Sequence, residues 1–281
     1  MTTQRRSWAS RPTGPAWRRL DWARWREPVR LGLSILGLTT LFVVYAGRTP
    51  GFDFYAYWAV DSANPYRVVD GLGAFHYPPP LVWLAAPLQA LPFETAYAVW
   101  TALMAGVILW LTRGWALAWC AFPPVASELF HGNIHLLMAA ALVAGFRHAA
   151  IWAFLPLAKV STGVNLLWPL LRREWRRLGI ALGAGALVLL LSVALQGVDV
   201  WAAWINHLAV RSAQPEDGGA LIDVSLLVRL PIAIAIASWG ALTGRRWPLA
   251  VAVTLAMPLL WFHSLAVLAA VQPLGSGPRD R

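Results

Sequence analysis

The sequence predicts an all-α polytopic membrane protein of about ten transmembrane or partial helices, with an outer loop after the first span. Three observations predict it. Hydrophobic residues make up 58% of the 281 residues and charged residues 13%, about half the charge of an ordinary soluble domain. Apolar stretches recur along the whole chain. The net charge of +10 comes from 22 Arg and one Lys, gathered in short clusters between those stretches. Such clusters orient membrane spans on their cytoplasmic side and need no nucleic acid as partner. The one cysteine, Cys120, excludes an internal disulfide and a Cys-based metal cluster.

Residues 1–30 carry eight Arg against Asp21 and Glu27. They are read as a cytoplasmic basic segment, with Trp17, Trp22 and Trp25 on an interfacial helix. A signal peptide is the competing reading, but the basic region is too long and no small-x-small cleavage site follows. The first span is expected at Leu31–Ala46, and residues 31–271 form one transmembrane unit. The segment Arg48–Tyr77, with Asp53, Asp61, Asp70 and eight aromatic residues, is expected outside. Pro79–Leu91, Ala96–Thr112, Trp115–Val125 (broken at Pro123-Pro124) and Ile134–Phe146 follow, several of them short for a span. Ala149–Leu171 is long enough to cross but holds Lys159 at its middle, where a charge must pair, face a cavity or break the helix. Arg172, Arg173, Arg176 and Arg177 mark the inside again. Leu178–Leu195 goes out, Gly197–Gly219 with Asp199, Glu216 and Asp217 forms an outer loop, and Val224–Leu242 returns to Arg245-Arg246. Trp247–Phe262 and Leu265–Val271 complete the crossings, and residues 272–281 are a short tail. This path puts the basic clusters on one side and the acidic loops on the other, in a multi-pass plasma-membrane protein with a cytoplasmic N-terminus.

A Gly-Lys-Ser/Thr phosphate loop, a Gly-x-Ser-x-Gly elbow and a His-Glu-x-x-His pair are all absent, which excludes a soluble ATPase module. Asp53, Asp61 and Asp70 lack metal-ligand spacing. His131 and His135 are four apart without an evident third ligand. No structural metal and no cofactor are expected, a loosely bound divalent cation at a donor phosphate being left open.

Gly51 to Trp58, Asn64-Pro65-Tyr66, Phe75-His76-Tyr77-Pro78-Pro79-Pro80, Pro87, Leu91-Pro92-Phe93-Glu94 and Trp100, in that order, resemble family 87 of the glycosyltransferases. These are polyprenol-phosphate-mannose-dependent mannosyltransferase-like membrane enzymes. His131-Gly132-Asn133 resembles the family's Gly-Gln-x-Asn region. Leu157-Ala158-Lys159 followed by the Arg172–Arg177 cluster resembles its Lys-containing span and basic turn. Asp223-Val224-Ser225 through Arg229 resembles a segment that usually reads Asn-Gln-Ser followed by Arg. Pro258 to His263 resembles its Ser-Trp-x-His region. The resemblance covers roughly residues 30–270 and implies a GT-C-like fold. It also implies transfer of a hexose, most plausibly mannose, from a polyprenyl-phosphate sugar to a lipid or glycan acceptor, with inversion at the anomeric carbon.

Such transfer needs a base for the acceptor hydroxyl, positive charge for the departing phosphate and apolar surface for the lipid. The resemblance makes Asp53 the base, flanked by Phe52 and Phe54, which would desolvate it; a solvated loop aspartate is the alternative. His263, Arg229, His76 and Lys159 are read as phosphate-side or proton-transfer contacts, against interfacial or snorkelling roles. Asn133 and Tyr77 join them as substrate-binding residues, although Tyr77-Pro78-Pro79-Pro80 also has architectural value. Tyr57, with Tyr55 and Trp58, is placed to stack on a sugar or to anchor at the interface. A lipid or sugar transporter, or an inactive shortened paralogue, is the rival reading.

Overall fold

The structure, a computed structural model, describes residues 22–213 and 224–276. The described residues are all helical or irregular, with no strand. Among the described residues four helices are long and apolar enough to cross a membrane: α1 (Trp22–Tyr45, apolar over Arg24–Tyr45), α4 (Phe93–Thr112), α10 (Trp175–Gln196) and α12 (Leu226–Thr243). A fifth is counted if the bent pair α6 (Pro123–His131) and α7 (His135–Gly145) is one broken span. The spans keep apolar side chains exposed, among them Phe42 on α1, Leu190 on α10 and Leu227 on α12. Contiguous apolar surface of this kind suits lipid rather than water. The chain is therefore a helical membrane protein.

The remaining elements are short. They are α2 (Phe52–Trp58), α3 (Leu81–Gln89), α5 (Ala116–Cys120), α8 (Phe154–Ala158), α9 (Leu167–Leu171), α11 (Val198–Ala213), α13 (Pro248–Leu255) and α14 (Val271–Gly275). Between them, among the described residues, lie the 3-10 segments Ala149–Ala153, Val160–Leu166 and Phe262–Ala270. The ten apolar stretches of the sequence thus become four to five span-length helices and a set of fragments packed among them. The core gathers on α4, α7, α13 and the 3-10 segment Phe262–Ala270, where Met104, Met138, Leu142, Leu249, Ala266 and Ala270 are all sealed.

Pro123-Pro124 opens α6 at its first turn, where a missing N–H costs nothing. Gly132 ends α6 at φ 73° and lies so close to Phe54 that an added Cβ would stand 2.7 Å from the Phe54 Cβ. The chain then turns through 111° into α7. Glu128 reaches back across this turn, and its Oε1 accepts from the N–H groups of His135 (2.6 Å) and Leu136 (3.3 Å). A buried carboxylate so placed satisfies the first donors of α7 and meets the positive end of the helix.

Four expectations change. The stretch 149–171 is not a continuous span: it breaks at Lys159, whose backbone is extended (φ −146°, ψ 108°). The Thr162 hydroxyl reaches the carbonyls of Leu155 (2.8 Å) and Lys159 (2.7 Å) across the break. The outer loop expected over 197–219 is largely the helix α11. Its half-buried Val200 and Trp204 and its buried His207 recur at helical spacing, and the exposed residues between them gave the mixture read as a loop. Residues 272–275 belong to α14, where Gln272 donates to the Thr112 carbonyl at 2.9 Å. The helix of the first span begins at Trp22 and its span-length apolar part at Arg24, both ahead of Leu31. Trp17, Glu216, Asp217 and Asp223, and the tail from residue 277, lie outside the described residues.

Candidate functional site

One cavity of about 400 Å³ draws on widely separated parts of the chain. Asp53 and Tyr57 reach it from α2, one turn apart on the same face. His76 and Tyr77 come from the connection before α3, Asn133 from the α6–α7 turn and Lys159 from the break after α8. Trp204 and Arg211 of α11, with Pro258, Leu259 and Trp261, close the remaining wall.

Asp53 lies with Oδ2 3.2 Å from Nε2 of His263, and its side chain is 23% exposed. That oxygen is buried yet receives no hydrogen bond. A buried acceptor without a donor is costly, so the atom is open to a donor brought by water or a ligand. Phe52 and Phe54 do not screen Asp53, because neighbours at i±1 on a helix point elsewhere. Phe52 is exposed, and Phe54 packs among Phe93, Tyr97 and Trp100.

Asn133 organises the neighbouring wall. Its Oδ1 lies 2.9 Å from the Tyr77 hydroxyl, 3.1 Å from the Tyr57 hydroxyl and 2.7 Å from the N–H of Ile134. With Oδ1 receiving these donors, Nδ2 faces Nε2 of His263 at 3.3 Å. Asp53, Tyr57, Tyr77, Asn133 and His263 are therefore one connected group. Tyr55 and Trp58, the other two aromatics expected near a sugar, turn toward Phe93 instead, and Trp58 Nε1 donates to the Leu91 carbonyl at 2.9 Å.

Lys159, His76 and Arg211 are the basic residues that line the same cavity. Lys159 Nζ lies 2.8 Å from Nε2 of His135, whose Nδ1 meets Glu128 Oε2 at 2.9 Å. His76 stacks on His207, with Nδ1 2.8 Å from the His207 Nε2. Both sit off the spans, and both imidazoles are held below their ordinary range chiefly by burial, His76 down to about 4. Arg211 approaches Asp70 at 3.3 Å.

Arg229 is not brought to the cavity. It is buried, and its guanidinium donates to the carbonyls of Val224 (2.7 Å), Leu255, Met257 and Pro258 (2.8 Å each). It gathers the orphan carbonyls at the end of α13 and so holds the Pro258–Trp261 wall in place. Its planar fork suits this task better than a point charge would.

Sequence reasoning passed over Glu128, His135 as a partner of Lys159, Arg211 and Trp204. A lone acid inside the apolar run after Pro123-Pro124 was the available signal for Glu128. The third ligand that His131 and His135 lacked is also supplied by the fold, in a different combination. Ligand atoms of Glu128, His135 and His263 all lie within 4.8 Å of one another, and all three residues are buried. These residues could hold a divalent cation, but the His135 nitrogens already face Glu128 and Lys159.

No curated protein and no solved structure matches the chain. The family model described as glycosyltransferase family 87 matches residues 75–276. The matched stretch begins beyond Asp53 and includes His76, Asn133, Lys159 and His263. Because it spans well over half of the sequence, the chain belongs to glycosyltransferase family 87.

Proposed function

We propose that the chain transfers a hexose, namely mannose, from a polyprenyl-phosphate sugar to a lipid or glycan acceptor at the outer face of the plasma membrane, its N-terminus lying in the cytoplasm. The observation that carries this reading is the buried, donor-free Oδ2 of Asp53 in a cavity that Lys159 also lines.

In this reading Asp53 accepts the proton of the acceptor hydroxyl as its oxygen attacks the anomeric carbon. The bond from that carbon to the phosphate oxygen breaks on the far side, which inverts the linkage. Polyprenyl phosphate departs with the electron pair, and the new negative charge falls toward Lys159, with His76 and Arg211 at the rim. His263 and Asn133 hold the Asp53 side of the cavity, and Tyr57 and Tyr77 form the wall against the sugar. Leu208, Pro258, Leu259 and Trp261 give apolar surface for the start of the isoprenoid. A cavity of about 400 Å³ falls in the range of small-ligand sites, which suits a hexosyl phosphate with the tail left in the bilayer. The activated sugar arrives through the lipid phase, so no nucleotide-sugar domain is required.

The test is a transfer assay on the purified protein with labelled polyprenyl-phosphate-mannose and a panel of lipid and glycan acceptors. The parent transfers label, and Asp53→Asn loses roughly a hundredfold or more of the rate at an unchanged melting temperature. Undiminished transfer by Asp53→Asn removes the base, and a parent inert toward every acceptor removes the donor.

A further inference from the structure

We propose that Glu128 and His135 are positioning residues that hold Lys159 as a fixed cation for the phosphate of a polyprenyl phosphate; the choice of lipid rests on the transfer reading above. Glu128 and His135 are both 0% exposed. With Glu128 ionised, its carboxylate can only accept, and the 2.9 Å contact then puts the His135 proton on Nδ1, facing Glu128 Oε2. The lone pair of Nε2 then faces the other way. Its two neighbours are donors, Lys159 Nζ at 2.8 Å and the Ser264 hydroxyl at 3.3 Å. All the hydrogen-bonding roles in the chain from Glu128 through His135 to Lys159 are consistent, with the imidazole neutral and opposite charges at the ends.

The order of groups matters. A carboxylate in contact with Lys159 would neutralise it against a phosphate. Here the contact is a neutral imidazole, and the negative charge stands one residue further back. Among the described residues Lys159 makes no ion pair of its own. The buried carboxylate favours the ammonium while leaving it free to donate to a ligand. An ammonium has three donors, of which His135 takes one. The others lie where Lys159 lines the cavity, 5.9 Å from the Tyr77 ring centroid. The backbone break at Lys159 places it there, and Glu128 is fixed in turn by the α7 N–H groups it accepts from. The same residues would serve a metal only if Lys159 gave up the His135 lone pair, so a cation bound by Glu128, His135 and His263 is the competing arrangement.

Lipid binding tests this without turnover. The full-length protein in nanodiscs is titrated with a polyprenyl phosphate and with the matching free polyprenol, in buffer with and without EDTA. The parent binds the phosphate at least about tenfold tighter than the alcohol, the size expected for a charge-assisted contact. That preference falls to near one in Lys159→Met and in Glu128→Gln, persists in Lys159→Arg, and is indifferent to EDTA. Where a variant retains transfer, donor KM rises while acceptor KM holds, a split that mere loosening of the fold does not produce. If Glu128→Gln does not fold, Lys159→Met and His135→Asn decide. A parent without preference, a preference intact in Glu128→Gln or Lys159→Met, or a preference abolished by EDTA overturns the inference. A parent that prefers the phosphate lipid but transfers no sugar leaves this site standing and defeats the transfer reading.

Discussion

Acidification should loosen the contact between α11 and the connection before α3, and the loss is calculable. His76 and His207 stack there with ring centroids 5.1 Å apart, beside Asp70, Arg211 and the His76 carbonyl held by Trp204. Burial first, then His207 and Arg211, lower His76 from 6.5 to about 4, with Asp70 opposing and Lys159 adding a little. A His held neutral by the fold contributes stability that is complete above its unfolded value near 6.5. That stability is lost as pH falls toward 4, because the unfolded chain binds the proton first. At 1.36 kcal/mol per unit the whole shift is worth roughly 3 kcal/mol, of which about 2 kcal/mol is gone by pH 5. SDS-induced unfolding in mixed micelles at pH 7.5 and pH 5 measures it. The parent should lose about 2 kcal/mol more than His76→Gln between the two conditions. Equal pH dependence in the two proteins would falsify the assignment of a buried neutral His76.

Arg229→Met should cost about 3 kcal/mol or more, because several carbonyls around the end of α13 lose their donor together. A rise in donor KM at unchanged unfolding free energy would instead return Arg229 to the phosphate. Gly37→Ala should separate α1 from α5, since the new Cβ would stand 1.8 Å from the Leu117 carbonyl oxygen. A loss of about 1–3 kcal/mol is expected in the same unfolding assay, and an unchanged value would mean that α1 does not pack there. Asn133→Leu should leave the Tyr57 and Tyr77 hydroxyls without their shared acceptor and lower transfer more than Tyr57→Phe alone. A fully active Asn133→Leu would detach that wall from the reaction.

Several features of the fold were legible in the residues. Pro123-Pro124 announced the break that α6 opens, while the lone Lys in the run 149–171 offered a break only as the alternative to a continuous span. Asp53, Tyr57, His76, Tyr77, Asn133 and Lys159 all line one cavity, and His263 stands behind Asp53. Arg229 was read too simply, because an Arg near a span end looks the same in sequence whether it serves lipid or backbone carbonyls. The helix α11 was passed over because its mixture of Asp, Asn and apolar residues matches a loop unless its period is taken first.

Composition and hydropathy already dictate a helical membrane protein, and proline and glycine dictate where several helices stop, because these are local properties of backbone and solvent. The site is of another kind. Tyr57 meets Asn133 across 76 positions, Asn133 meets His263 across 130, and His76 meets His207 across 131. Even Glu128 and His135, seven apart, join only because the chain turns through 111° between them. Which charges end up facing a cavity and which are absorbed by carbonyls depends on packing, since a buried polar group takes whatever partner the fold brings within reach.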